Sequence, residues 1–176
     1  MTLPIAPGTY GIDTMHSQLG FSVSHLGISL VRGTFDAYTG SLTVGDGLGA
    51  TELFIDAEMA SVHTGNEKRD AHLHGEDFFD VANHPQMSFR STGIEEARSA
   101  YTLTGDLTIR GVTRSVTLAT AYNGSGVFPL DKSTHYGFSA SGTISRSEFG
   151  VTYGVPLASD DVALMLEAQF VSPASD

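Results

Sequence analysis

The chain has 176 residues, a formal net charge of −11, 40% hydrophobic residues and no cysteine. That composition excludes disulfides, thiol catalysis and cysteine-ligated zinc, and its surplus of acid argues against binding to phosphate backbones or anionic headgroups. The length predicts one domain over residues 1–176, large enough to bury roughly 70% of its unfolded surface around a core or a cavity.

Along the chain the hydrophobic period is mostly two. Leu19, Phe21, Val23 and His25 alternate with polar or small residues, as do Val31, Gly33, Phe35 and Ala37; Leu53, Ile55, Ala57 and Met59 alternate with Glu52, Phe54, Asp56 and Glu58. After an interruption at residues 61–86, Met87 and Phe89 restart the pattern. It continues through Tyr101–Ile109, Val116–Tyr122, Tyr136–Ile144 and Val162–Phe170. One apolar and one polar face per strand predicts antiparallel sheet with one side in water. About eight such strands, with turns expected at Gly40, Gly111 and Gly124, predict a closed barrel or a sandwich, all-β in class. Small residues stand at inward positions: Gly33, Ala37, Ala57, Gly105, Ala140, Gly142 and Ala168. They either leave room for a ligand or accommodate sheet coiling and bulky neighbours.

The interruption reads SVHTGNEKRDAHLHGEDFFDVANHPQ. Thr64 to Glu67 fits a capping box with Thr64 as N-cap, so a short helix should run to about His74 and stop at Gly75. A second turn over Glu76–Asp80 should end at His84–Pro85, because the residue before a proline is pushed to an extended conformation. A helical insertion over about residues 64–82 is the result, with Phe78, Phe79 and Val81 as apolar anchors.

The same block holds four of the seven histidines, His63, His72, His74 and His84, beside Asp70, Glu76 and Asp80. As chemistry, segment 63–84 would be the centre of a metal-dependent enzyme. On a helix, however, His72 and His74 lie about 200° apart and do not share an ion readily. No tetrahedral spacing and no H-E-x-x-H signature is present. The expectation is therefore no bound metal and no catalytic residue. A third reading is an interaction module with a filled barrel. No apolar run approaches the ~20 residues of a membrane span. The N-terminal MTLPIAPGTYGID has neither a basic n-region nor an apolar h-region, so a cytoplasmic location is expected, periplasmic or secreted only if a leader is missing.

Specific strings carry a resemblance. Gly8-Thr9-Tyr10-Gly11-Ile12-Asp13 with His16-Ser17, Phe21-x-Val23-x-His25-x-Gly27 and Val31-x-Gly33-x-Phe35 resemble the start of a YceI-like protein. Arg69-Asp70-x-His72-Leu73, Asp77-Phe78-Phe79-Asp80-Val81 and His84-Pro85 are similar to its central motif, and Leu107–Thr113 and Phe149-Gly150-Val151 to later ones. His74, His84 and Ser115 depart from the pattern, which makes His74 and His84 poor candidates for a family-wide role.

The resemblance implies a lipocalin-like eight-stranded antiparallel barrel around an apolar tunnel. It also implies non-catalytic binding, storage or transport of a polyisoprenoid lipid: a polyprenyl chain, an isoprenoid quinone or a prenyl pyrophosphate. No cofactor beyond that lipid, no nucleic acid and no stable membrane anchor are expected, and a homodimer is compatible with such barrels. A five-carbon unit burying on the order of 100 Å² would contribute roughly 2 kcal/mol gross. The inward residues Leu19, Phe21, Val23, His25, Phe35, Ile55, Met59, Phe79, Met87, Phe89, Leu107, Ile109, Phe138, Leu164 and Leu166 are the candidate tunnel lining, each equally readable as core. His25 is either a buried, satisfied histidine or a polar contact at one end of the tunnel. Candidate head-group contacts are His25, Arg69, Arg110 and Arg114, with Arg69 alternatively a clamp on Asp70 or Asp77.

Overall fold

The computed structural model describes residues 2–98 and 100–172. Its strands are β1 (Gly8–Ile12), β2 (Gln18–His25), β3 (Ser29–Phe35), β4 (Tyr38–Val44), β5 (Glu52–Glu58) and β6 (Val62–His63). A helix, α1 (Glu67–Leu73), follows. Then come β7 (Gln86–Ala97), β8 (Ala100–Ile109), β9 (Val112–Val127), β10 (Thr134–Ser145) and β11 (Ala158–Val171). Every pairing is antiparallel.

Eleven strands make eight staves, because three staves are broken. β1 and β2 run consecutively along one edge of β11, Ile12 opposite Phe170 and Val23 opposite Val162. Their partners β4 and β3 form the second broken stave, and β5 and β6 the third. Pairing of β1 with both β4 and β11 closes the ring, so the structure is an eight-stranded antiparallel barrel. Closure removes the unpaired edges that an open sheet would present.

The breaks explain where the alternation fails. Ala37 falls in the gap between β3 and β4 and is exposed, not inward, while Tyr38 turns in and donates to the Ser17 carbonyl at 2.7 Å. A 3-10 turn at Met59–Ser61 ends β5, so Met59 sits in the solid core at 1% exposure. Of the three expected turn glycines, Gly40 lies inside β4 and Gly124 inside β9 next to a bulge. Gly111 does turn the chain, at φ 72° between β8 and β9.

One end of the barrel is plugged by Leu3, Ile5, Tyr10, Leu42, Val44, Leu48 and Phe170. At the other end residues 64–85 bridge β6 to β7 as a helical flap. Its cap differs from the expected one. The N-cap is Asn66, whose side-chain oxygen accepts from the Arg69 amide at 3.0 Å. Thr64 instead donates through its amide and its hydroxyl to the Asp70 carboxylate. The positive φ of Gly65, 75°, lets the chain turn between these two contacts. Leu73, Phe79 and Val81 pack on the core, and the Phe79 ring lies 5.9 Å from that of Phe35.

Candidate functional site

The barrel encloses a cavity of about 490 Å³, within the range of small-molecule sites, roughly 300–1,000 Å³. The 14 residues of β11, at about 3.3 Å each and tilted about 40°, give a barrel about 35 Å tall. The cavity wall runs from Leu3 at the plugged end to His25 and the flap at the other. It is apolar along most of its length, from inward rows of β2, β5, β8, β10 and β11.

Of the candidate lining residues, Leu19, Phe21, Val23, His25, Phe35, Ile55, Phe79, Met87, Phe89, Leu107, Ile109, Phe138, Leu164 and Leu166 all stand on this wall. Met59 does not, for the reason given above. The small residues divide into two kinds. A Cβ on Gly33 would overlap the Phe21 ring, and one on Gly105 would overlap the Phe89 ring. At these glycines a neighbouring aromatic ring takes the space of the missing side chain, so they leave no free volume. Ala140 and Ala168 are the ones that leave free volume.

Polar groups gather at the flap end. His25 closes the inward row of β2, yet it is exposed at the rim rather than buried. Arg69 reaches the wall but is tied down, donating through Nε to the Thr64 hydroxyl at 2.7 Å and through Nη2 to the Thr64 carbonyl at 2.9 Å. It therefore clamps Thr64 rather than Asp77. Burial alone would push the Asp70 carboxyl up, but donation from Thr64 more than offsets that and holds it below its ordinary value. Arg110 and Arg114 are not on the wall. Arg110 donates to the carbonyls of Phe78 at 2.7 Å and Gly150 at 3.2 Å, fastening the flap to the loop after β10. Arg114 pairs opposite inward Leu107 but is exposed at the barrel end, where it donates to the Thr113 carbonyl at 2.9 Å.

A residue absent from the candidate set is Arg146, on the wall with 7% exposure. It donates to four carbonyls: Ser159 at 2.9 Å, Val151 at 3.1 Å, Tyr153 at 2.9 Å and Ala158 at 3.0 Å. Burial lowers its pKa, with Asp160 opposing the shift. The signal for it was present, since Arg146 extends the inward parity of Tyr136, Phe138, Ala140, Gly142 and Ile144 by one step.

The histidine block does not converge. His63 faces Asp70 at 3.5 Å, His72 pairs with Asp77 at 2.9 Å, and His84 lies 4.0 Å from Asp80. The buried Nε2 of His74 has no hydrogen-bond partner among the described residues. No group of three His, Asp or Glu that could hold a metal occurs among the described residues. Among those residues no helix is long and apolar enough to cross a membrane.

Known proteins show the same architecture. A family profile described as YceI-like domain matches residues 10–170. The chain belongs to the YceI-like family. A UPF0312 protein of Yersinia pestis is 35% identical over 165 residues, covering 92% of this chain and 85% of that one. The crystal structure of a Campylobacter jejuni YCEI protein superposes with a TM-score of 0.74 at 32% identity, over 85% of this chain and 90% of that one. A polyisoprenoid binding domain from Saccharophagus degradans, implicated in plant cell wall breakdown, shares the fold at a TM-score of 0.68 and 16% identity, over 93% and 98% of the two chains.

Proposed function

We propose that this YceI-like protein binds and carries a long isoprenoid chain in its barrel, without catalysing a reaction on it. The observation that carries this reading is the continuous apolar wall around about 490 Å³ of enclosed space. A ligand held there gains by removal of apolar surface from water, about 25 cal/mol per Å², and no reacting group is required. The polyisoprenoid binding domain of the same fold supports the ligand class. His25 and the remaining polar groups at the flap end would meet a quinone ring or other head group, since apolar sites carry a few placed polar contacts. The open volume argues against a filled interaction module.

The test is organic extraction of the purified protein followed by mass spectrometry, with titration of the emptied protein by a prenyl quinone in detergent. A stoichiometric prenyl lipid is expected. Filling the free volume with Ala140→Trp or Ala168→Trp should abolish uptake while the barrel remains folded by circular dichroism. An empty protein that ignores the added quinone would overturn the proposal.

A further inference from the structure

The flap end of the barrel presents apolar side chains to water. Leu26 and Ile28 project from the β2–β3 turn, Leu30 from the start of β3, and Tyr153, Val155 and Leu157 from the β10–β11 loop, with exposures between 42% and 84%. The two loops are joined: the Leu26 amide donates to the Leu157 carbonyl at 2.7 Å. Tyr153 extends the patch onto the flap, its ring 5.0 Å from His72 and 5.3 Å from Phe78. His72, Phe78, His25 and Ala158 all line the cavity, so the patch surrounds its mouth.

Two features set this rim apart from scattered surface apolar residues. Leu26 sits at φ 54° and Gly27 at φ 70°, a turn whose first position favours Asn, Asp or Gly. A leucine there spends conformational energy to keep an aliphatic group at the tip. The charge pattern is the second feature. In a chain with 20 acidic residues, segments 14–35 and 149–159 contain none. Asp77, the carboxylate beside the aromatic trio, is engaged by His72. The loop at the opposite end also exposes apolar groups, Val127 and Leu130, but carries Asp131 beside them.

We infer that this rim docks reversibly on a lipid bilayer, setting the cavity mouth against the membrane from which an isoprenoid chain is drawn. The inference rests on the lipid-carrying reading above. Aliphatic tips with a tyrosine suit the bilayer interface, where binding grows with apolar area inserted. Protein-wide acidity makes the contact apolar rather than electrostatic. Docking should therefore be strongest on neutral lipid, weaken as phosphatidylglycerol is added, and recover with salt.

The chain contains no tryptophan, so a single introduced one reports its own location. The Ile28→Trp protein, mixed with phosphatidylcholine vesicles, should shift its emission to the blue and be quenched by bromine-labelled lipid. The Leu130→Trp protein should do neither. Flotation of the unmodified protein with the vesicles should fall at least about tenfold in the Leu26→Ser, Ile28→Ser, Leu157→Ser triple variant, while quinone binding from detergent stays unchanged. No flotation, or quenching at Leu130→Trp instead, overturns the inference. Self-association that the triple variant abolishes, without flotation, also overturns it and makes the rim a contact between two copies. Flotation that persists in a protein unable to bind quinone upholds docking and removes the cargo reading alone.

Discussion

Arg146 offers the sharpest test of how the barrel mouth is held. Its guanidinium gathers four backbone carbonyls from residues 151–159. In Arg146→Met the side chain remains long and apolar, so little volume is lost and the donors vanish. The Tyr153 carbonyl lies in an exposed stretch and can turn to water, whereas Val151 is buried and Ala158 and Ser159 are half-buried. Three acceptors left without partners would cost about 1–3 kcal/mol each. The variant also no longer buries a charge, which returns part of that cost. The net expectation is a loss of about 3 kcal/mol. With a urea slope of about 2 kcal/mol per M, the midpoint should fall by about 1.5 M. Arg146→Lys should fall between, since a compact ammonium with three donors cannot span four separated carbonyls. Amide exchange in residues 151–158 should quicken first. A midpoint for Arg146→Met within about 0.3 M of the unmodified protein would refute the idea that the buried guanidinium organises this loop.

Three further outcomes follow from the same geometry. Gly105→Ala places a Cβ 2.6 Å from the Arg90 carbonyl oxygen as well as into the Phe89 ring, so urea denaturation should show a loss of about 1–3 kcal/mol. Arg110→Ala removes the donor to Phe78 and Gly150, and hydrogen exchange over residues 64–85 should accelerate by roughly tenfold while the global midpoint moves little. Asp70 has a depressed folded-state pKa, so its contribution to stability is present above the ordinary carboxylate range and is lost as pH falls through the folded value. Limited proteolysis should accordingly cut the flap faster below about pH 4, and Asp70→Asn should flatten that dependence.

Most of the wall was legible because a strand exposes alternate residues to alternate sides. The rows of β2, β8, β10 and β11 follow from parity alone. Parity failed where the staves break: Ala37 and Met59 each fall just past a strand end, at points set by the packing of neighbouring staves rather than by local composition. The inward glycines left two readings open, and Gly33 and Gly105 take the second, accommodating a bulky neighbour. A missing side chain on one strand can be filled by a ring from the next, and nothing local to Gly33 announces that Phe21 covers it. The flap's existence was clear from its broken period, but its cap was not, since Thr64 and Asn66 are both good caps and only the Thr64–Asp70 contact separates them. Arg110 and Arg114 looked alike in sequence. Their difference, one half-buried and tied to the flap and one in water, depends on residues 78 and 150 arriving from elsewhere in the chain.

The barrel is closed by its first strand meeting its last, Gly11 opposite Val171 and Ile12 opposite Phe170. A loop of nearly the whole chain must therefore be closed before the interior is sealed along that seam, a step whose entropic cost grows only slowly with length but which no local contact assists. Folding of this chain belongs with the slow, long-range β topologies. Until the seam forms, the apolar rows of β1 and β11 border an open trough, and the unpaired edges there are the ones most able to recruit another chain.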